Sequence, residues 1–223
     1  MVRQFAVAAD RACDTVYAHA SRLLRCGQRP DGAALPPFDL RWRGLRLLYL
    51  ITRGRGPSDH ETFYFPEAHI PFGRVSELGK YSPTLNRQDE RSVLTVEIPC
   101  SVNDGTWSMP DALLADLCIQ ELQRLGLLRR PLRGDVEFFS RKLGHVYPVY
   151  DLKWRERFDR IYGRLNAMSN LYMIGRTALF LHCNIDHCMV MALRLAKYLA
   201  DGHKDKSGWE FVCREFFHYR VHE

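Results

Sequence analysis

No stretch of this chain approaches the roughly 20 apolar residues that cross a bilayer. The longest, Leu45 to Ile51, has the length of a strand. The chain lacks a G-x-S-x-G elbow, an H-E-x-x-H pair and a P-loop, so the common hydrolase and nucleotide-hydrolase signals are missing. It also lacks a glycine-rich dinucleotide fingerprint. The nearest approach is Gly54-Arg-Gly56, but Asp59 stands where the third glycine belongs, and Pro57 stiffens the loop. The element after it reads as a strand, so no helix N-terminus would receive a pyrophosphate. There is no internal repeat and no low-complexity segment. The first residues carry Asp10 and Asp14 and no continuous apolar block, unlike a secretory signal or transit peptide.

What is present describes a folded, mildly basic protein. The 223 residues are 46% hydrophobic, enough for a real core. Seven cysteines, an odd number with irregular spacing, fit a reduced cytoplasmic protein better than a disulfide framework. The net charge of +6 comes from scattered residues with short clusters at Arg41–Arg46 and Arg129–Arg133. No basic stripe alternates with aromatics, so a nucleic-acid partner is not expected.

Periodicity predicts the elements. Residues 1 to about 27 read as a helix with Val2, Phe5, Ala9, Ala12, Val16 and Ala20 on one face, followed by a turn and a Pro36-Pro37 linker. Leu45–Ile51 and Thr62–Phe65 read as strands joined in a hairpin. Arg74–Leu78 is a weaker strand and Ser92–Ile98 a stronger one. Ser108 is the expected cap of a helix carrying Leu113, Leu114, Leu117, Leu122 and Leu125, with Pro110 in its first turn. Val136–Phe139 and His145–Tyr147 are strand pieces. Asp151 is expected to cap a helix with Trp154, Phe158, Ile161 and Leu165 on one face. Leu171–Ile174 reads as a buried strand, Ile185–Leu199 as a helix, and Trp209–Phe217 as one more. Strands and helices do not alternate regularly, which points to an α+β fold with a mixed sheet and flanking helices.

Few side chains group into chemistry. His182, Cys183, His187 and Cys188 suggest a metal site at first sight, but each like pair is five residues apart. Five helical positions turn through about 500°, so such pairs share no face, and no metal is expected. Glu97 near Cys100 and Asp104 near Trp107 are the other polar neighbours, equally explained by a strand edge and turn. Among the histidines, His145 and His187 are candidate general bases, each with a structural explanation available.

The segments Tyr147-Pro-Val-Tyr-Asp151, Asn170-Leu-Tyr-Met-Ile-Gly-Arg176, and Phe180 with Asn184-Ile-Asp-His187 resemble the C-terminal part of FAD-dependent oxidoreductases of the amine-oxidase superfamily. The nearest branch is protoporphyrinogen-oxidase-like, neighbouring UDP-galactopyranose mutase. Phe63–Glu67, Ile70–Arg74, Glu77, Tyr81-Ser82 and the Glu97…Cys100…Trp107 stretch resemble that branch's substrate domain. The resemblance spans about residues 40 to 200. It departs from the family at Leu181, His182 and Cys183, where relatives commonly carry Arg and Tyr or a similar residue.

The resemblance implies FAD as cofactor, with Gly175, Arg176, Asn184, Asp186 and His187 against it. Gly175 would let backbone approach the flavin, Arg176 would offer a fork to an anion, and the helix behind Asp186 would aim its amino end at the isoalloxazine. Tyr64, Arg74 and Tyr81 are the implied substrate-binding residues for a small molecule. The sequence lacks the N-terminal Rossmann unit that holds the adenylate in relatives, which leaves three expectations: a Rossmann-domain partner subunit supplies it, the chain is a truncation without redox activity, or the remnant serves as a binding or scaffolding subunit. The expected division is an N-terminal helix and linker over 1–40, a substrate-binding-like domain over 41–135, a flavin-facing segment over 136–200 and a tail over 201–223. The expected function is half of an amine-oxidase-like oxidoreductase. The alternatives are a mutase-like isomerase acting on a nucleotide sugar and a non-catalytic interaction subunit. If a partner is awaited, Leu171–Ile174 and Met189–Leu199 should expose apolar surface. If not, the chain's own elements should cover them.

Overall fold

Among the described residues, five strands between Trp42 and Pro148 form one sheet in the spatial order β2-β3-β4-β1-β5. The computed structural model describes residues 39–53, 59–82, 84, 91–128, 136–168, 171–202, 206–219 and 221. The N-terminal helix, the Pro36-Pro37 linker, the Gly54–Gly56 loop and Asn170 of the sequence reading lie outside these residues. Contacts divide the described residues into one unit within Trp42–Val146 and another formed from residues 39–41 and those after Val146.

In the first unit the strands are β1 (Trp42–Arg53), β2 (Thr62–Tyr64), β3 (Arg74–Glu77), β4 (Arg91–Cys100) and β5 (Glu137–Pro148). β1 pairs antiparallel with β4, placing Leu48 opposite Val96 and Leu50 opposite Leu94. β3 pairs antiparallel with both β2 and β4. The expected mixed sheet is therefore corrected to an antiparallel one. The expected β1–β2 hairpin does not form either: β2 turns to β3, and β1 takes an interior position between β4 and β5. The physical reason is burial. β1 is nearly continuous in large apolar residues, which suits an interior strand, while the three-residue β2 suits an edge.

One sheet face carries Leu48, Leu50, Leu94, Val96 and Ile98, all buried. Helix α3 (Asp111–Arg124) covers it, after two single turns, α1 (Leu78–Tyr81) and α2 (Gly105–Ser108). Leu114, Cys118 and Leu122 recur every four residues along α3 and Ala115 lies beside them, so one stripe meets the sheet. Each fully buried Leu contributes about 1.5–3 kcal/mol. Ser108 closes α2 instead of capping α3, whose cap position is Pro110. The capping carboxylate of this region is Asp104, which accepts from Trp107 N at 2.7 Å and Ser101 N at 2.6 Å.

A buried arginine locks that corner. Arg46 lies at 0% exposure on the core side of β1, opposite Ile98. Its Nη1 donates to the carbonyls of Thr106 (2.9 Å) and Met109 (2.6 Å). Its Nη2 donates to Asp111 and, at 3.3 Å, to Ser140 Oγ. One guanidinium thus ties α2, the start of α3 and β5 to β1.

The second unit is helical: α4 (Trp154–Asn166), the single turn α5 (Gly175–Ala178), α6 (Ile185–Ala200) and α7 (Lys206–Phe216). Phe158, Ile161 and Leu165 form the buried face of α4. The assigned cap of α4 is Lys153, two residues past Asp151. Asp151 instead accepts from Lys153 N at 3.0 Å and pairs with Arg157. Leu171–Ile174 is extended but carries only one isolated bridge, at Leu171, so the expected strand is corrected to a buried extended segment. It packs with Met191 and Leu195 of α6 and with Trp209, Cys213 and Phe216 of α7. Asn166 and Lys206 fasten α4 to α7. The Asn166 amide donates to Glu210, while Lys206 donates to Asn166 Oδ1 and to the Leu171 carbonyl.

Candidate functional site

The segment from Gly175 to Cys188 concentrates unusual backbone and polar contacts. Gly175 has φ of +83° and opens α5 directly after the extended Leu171–Ile174 run. Its N–H points at Met191 Sδ, 3.2 Å away. A Cβ there would meet only Cys188 Sγ, at 4.0 Å, so backbone conformation and not space demands glycine. Gly175→Ala is expected to cost about 1–2 kcal/mol, through the left-handed backbone alone. Urea unfolding checks this, and a loss of less than about 0.5 kcal/mol would contradict it.

Phe180 is also left-handed, with φ of +50°, and is completely buried. Its ring packs among Tyr150, Trp154 and Phe158, at centroid distances of 5.7, 5.9 and 6.2 Å. Tyr150 pins the same turn at two points. Its hydroxyl donates to the Phe180 carbonyl at 3.0 Å and accepts from His182 N at 2.8 Å. Burial, its largest influence, pushes the Tyr150 phenol upward, so it stays a neutral donor.

Arg176 closes the turn from the other side. Its Nε donates to the Cys183 carbonyl at 2.8 Å, Nη2 donates to the same oxygen, and the guanidinium lies 5.3 Å over the Tyr147 ring. Two of its nitrogens are therefore committed to the protein's own loop, and the guanidinium also meets the Cys183 thiol.

Asn184 caps α6. Its side chain accepts from His187 N, and His187 Nδ1 accepts from Asn184 N at 3.2 Å, a reciprocal capping box. His187 thus works as a cap, and its ring tilts against Tyr219 at 5.0 Å. The box satisfies one donor of the first turn and leaves the N–H groups of Ile185 and Asp186 outside the helix's own ladder. Ile185 is 76% exposed, and the Asp186 side chain is 73% exposed. The amino end of α6 is half plugged and half open to solvent.

Tyr64, Arg74 and Tyr81 belong to the other unit, where the sheet register brings them together. Arg74 lies opposite both Tyr64 and Glu97, and it pairs with Glu97 while its guanidinium lies 5.8 Å over the Tyr64 ring. Tyr81 meets Thr62, which lies 3.2 Å from Ser76. Thr62, Tyr64, Arg74, Ser76, Thr95 and Glu97 occupy alternate positions in register, so they share the sheet face turned away from α3. Buried Thr95 Oγ1 has no hydrogen-bond partner among the described residues. Glu97 thus serves Arg74 and does not act with Cys100, which is buried. His145 packs edge-on to Trp42.

Sequence reasoning missed Tyr150, Met191 and the Cys183–Cys188 pair, whose sulfurs lie 3.7 Å apart. Cys183 precedes the helix cap, so helical spacing does not separate it from Cys188. The chain bends at Asn184 and brings the two thiols together. Among the described residues no group of three or more His, Cys, Asp or Glu side chains is placed to hold a metal. No described helix is long and apolar enough to cross a membrane.

No family model matches the chain, and no curated protein matches it. Solved structures do. A reduced UDP-galactopyranose mutase superimposes with a TM-score of 0.60 at 15% identity over 76% of this chain. A protoporphyrinogen-oxidase-like protein from Exiguobacterium sp. 255-15 superimposes with a TM-score of 0.52 at 14% identity over 81%. The chain spans 36% and 38% of those proteins' lengths. At such identities the likeness is one of fold.

Proposed function

We propose that this chain is the substrate domain and flavin-facing segment of an FAD-dependent, amine-oxidase-like oxidoreductase, acting with a Rossmann-bearing partner subunit. The observation that carries this reading is a convergence. The sequence motifs resemble the protoporphyrinogen-oxidase and galactopyranose-mutase branches, and the fold matches a solved structure bearing each name. The residues fit the polar edge of a flavin. Ile185 and Asp186 would present their N–H groups at the amino end of α6, Gly175 would offer bare backbone, and Arg176 would supply charge. Such a helix end stabilises negative charge on a ring. Bound FAD would supply the hydride or electron transfer. The chain's own groups would orient the ring and hold charge beside it.

A partner needs a surface. The inner flank of α6 (Met191, Leu195) and Leu171–Met173 are covered by α7, as a self-contained subunit would have them. The outer flank is not: Ile185, Met189 and Leu193 are 76, 60 and 69% exposed along one stripe. That stripe is the surface we assign to the partner.

The test is co-expression with Rossmann-bearing proteins of the native host and isolation of the complex. A yellow complex with a flavin spectrum is expected, and a colourless preparation from the chain alone. Colourless complexes throughout would overturn the reading.

A mutase-like isomerase is the second reading, favoured by the shared face of Tyr64, Arg74 and Tyr81. Phe65 and Phe72, which would line an apolar substrate cleft, instead pack on each other at 5.1 Å, and Phe72 is buried. Calorimetric binding of a nucleotide sugar to the complex would select this reading over oxidation of an apolar substrate.

A further inference from the structure

We infer that Cys183 and Cys188 form a redox-active dithiol that closes to a disulfide by exchange with a small oxidised thiol such as glutathione disulfide. The two sulfurs lie 3.7 Å apart, one just before α6 and the other in its first turn. A disulfide bond is about 2.05 Å long, so closure needs side-chain rotation and a small adjustment of the turn. The two thiols differ in access: Cys183 is 1% exposed, whereas Cys188 is half-buried. That asymmetry assigns the roles. Cys188 is the attacking sulfur and Cys183 the resolving one.

The surroundings favour a thiolate at Cys188. The largest influence is the hydrogen bond from the Cys183 thiol; partial burial opposes it, and the Arg176 backbone N–H and charge, with His187, add to it. The result is a Cys188 thiol lowered to about 6. The same hydrogen bond and burial push Cys183 upward, so it holds the shared proton. The charged and titratable groups facing the pair are thus Arg176 from α5, His187 from α6 and the neutral Tyr150 phenol ahead of α4.

The exchange balances in two steps. The Cys188 thiolate attacks one sulfur of glutathione disulfide. The S–S bond breaks, a mixed disulfide forms, and one glutathione leaves as thiolate. Cys183 passes its proton to that leaving thiolate and attacks Cys188 Sγ, expelling the second glutathione. Two cysteine thiols are oxidised, and one glutathione disulfide becomes two glutathiones. Closure would tie the Cys183 carbonyl, already held by Arg176, to the first turn of α6.

The full-length protein tests this directly. After incubation with glutathione disulfide, peptide mapping is expected to show residues 183 and 188 joined, two hydrogens lighter, and restored by dithiothreitol. In Cys183→Ser, Cys188 should retain one glutathione. In the untreated wild type, iodoacetamide at pH 6 should label Cys188 at least about threefold faster than an ordinary thiol, because more of it is thiolate there. Cys118 and Cys213, both raised to about 12 by burial, are the slow internal references. Two cysteines that stay reduced in the oxidant, or Cys188 labelling at pH 6 no faster than an ordinary thiol, would overturn the inference. The wild-type measurements stand if the serine variant fails to fold. Neither result depends on flavin, so a failure of the flavin reading leaves this one intact.

Discussion

Replacing Arg46 by methionine is expected to destabilise the sheet unit by about 3–4 kcal/mol, read as a drop in the urea midpoint at unchanged slope. The methionine keeps most of the buried stem, so the loss is polar. The carbonyls of Thr106 and Met109 lose their donor inside the protein, at about 1–3 kcal/mol for each that finds no water. Asp111 loses its partner too, but it is half exposed and rehydrates at small cost. Asp111→Asn should therefore cost less than about 1 kcal/mol. Arg46→Lys should fall between, because one ammonium cannot bridge α2, α3 and β5 together. Nε of Arg46 is buried with no partner among the described residues, so that part of the guanidinium is already a standing penalty. If Arg46→Met and Asp111→Asn cost the same small amount, the buried arginine is not what fastens that corner.

The second large effect belongs to α7. Trp209→Ala is expected to cost about 3–5 kcal/mol, since Trp209 is fully buried between Tyr172, Tyr198 and Phe216. The conservative change tells more. The indole nitrogen is buried without an acceptor among the described residues. Trp209→Phe thus gives up area but no hydrogen bond, and relieves an unsatisfied donor. It should cost about 1 kcal/mol, well below an ordinary Trp→Phe change at a hydrogen-bonded site. Parallel thermal unfolding of both variants decides this. A loss for Trp209→Phe as large as for Trp209→Ala would mean the indole nitrogen has a partner in solution.

How far the sequence could be read follows from the range of each interaction. Periodicity is local, and it located β1, β3, β4, α3, α4, α6 and α7 within a few residues. Strand pairing is not local. Nothing in Leu45–Ile51 says that its neighbours are β4 and β5 and not the next strand along. At the site, the motifs Gly175-Arg176 and Asn184–His187 were visible as patterns, and their left-handed turn and capping box follow from residue type. The Tyr150 clamp on Phe180 spans thirty residues, and no spacing rule reaches it. The thiol pair was visible but misjudged, because a helical rule was applied to a residue just outside the helix.

The strand order also dictates when the sheet can be completed during synthesis. The leucine-rich β1 leaves the ribosome before the other four strands, yet Leu48 finds its partner in β4 only when Val96 has been made. β2 and β3 can pair with each other meanwhile, but they cannot shelter it. Through that interval the nascent chain carries an unpaired apolar ribbon of the kind chaperones bind and aggregates recruit. A slower passage between those two strands lengthens that exposure.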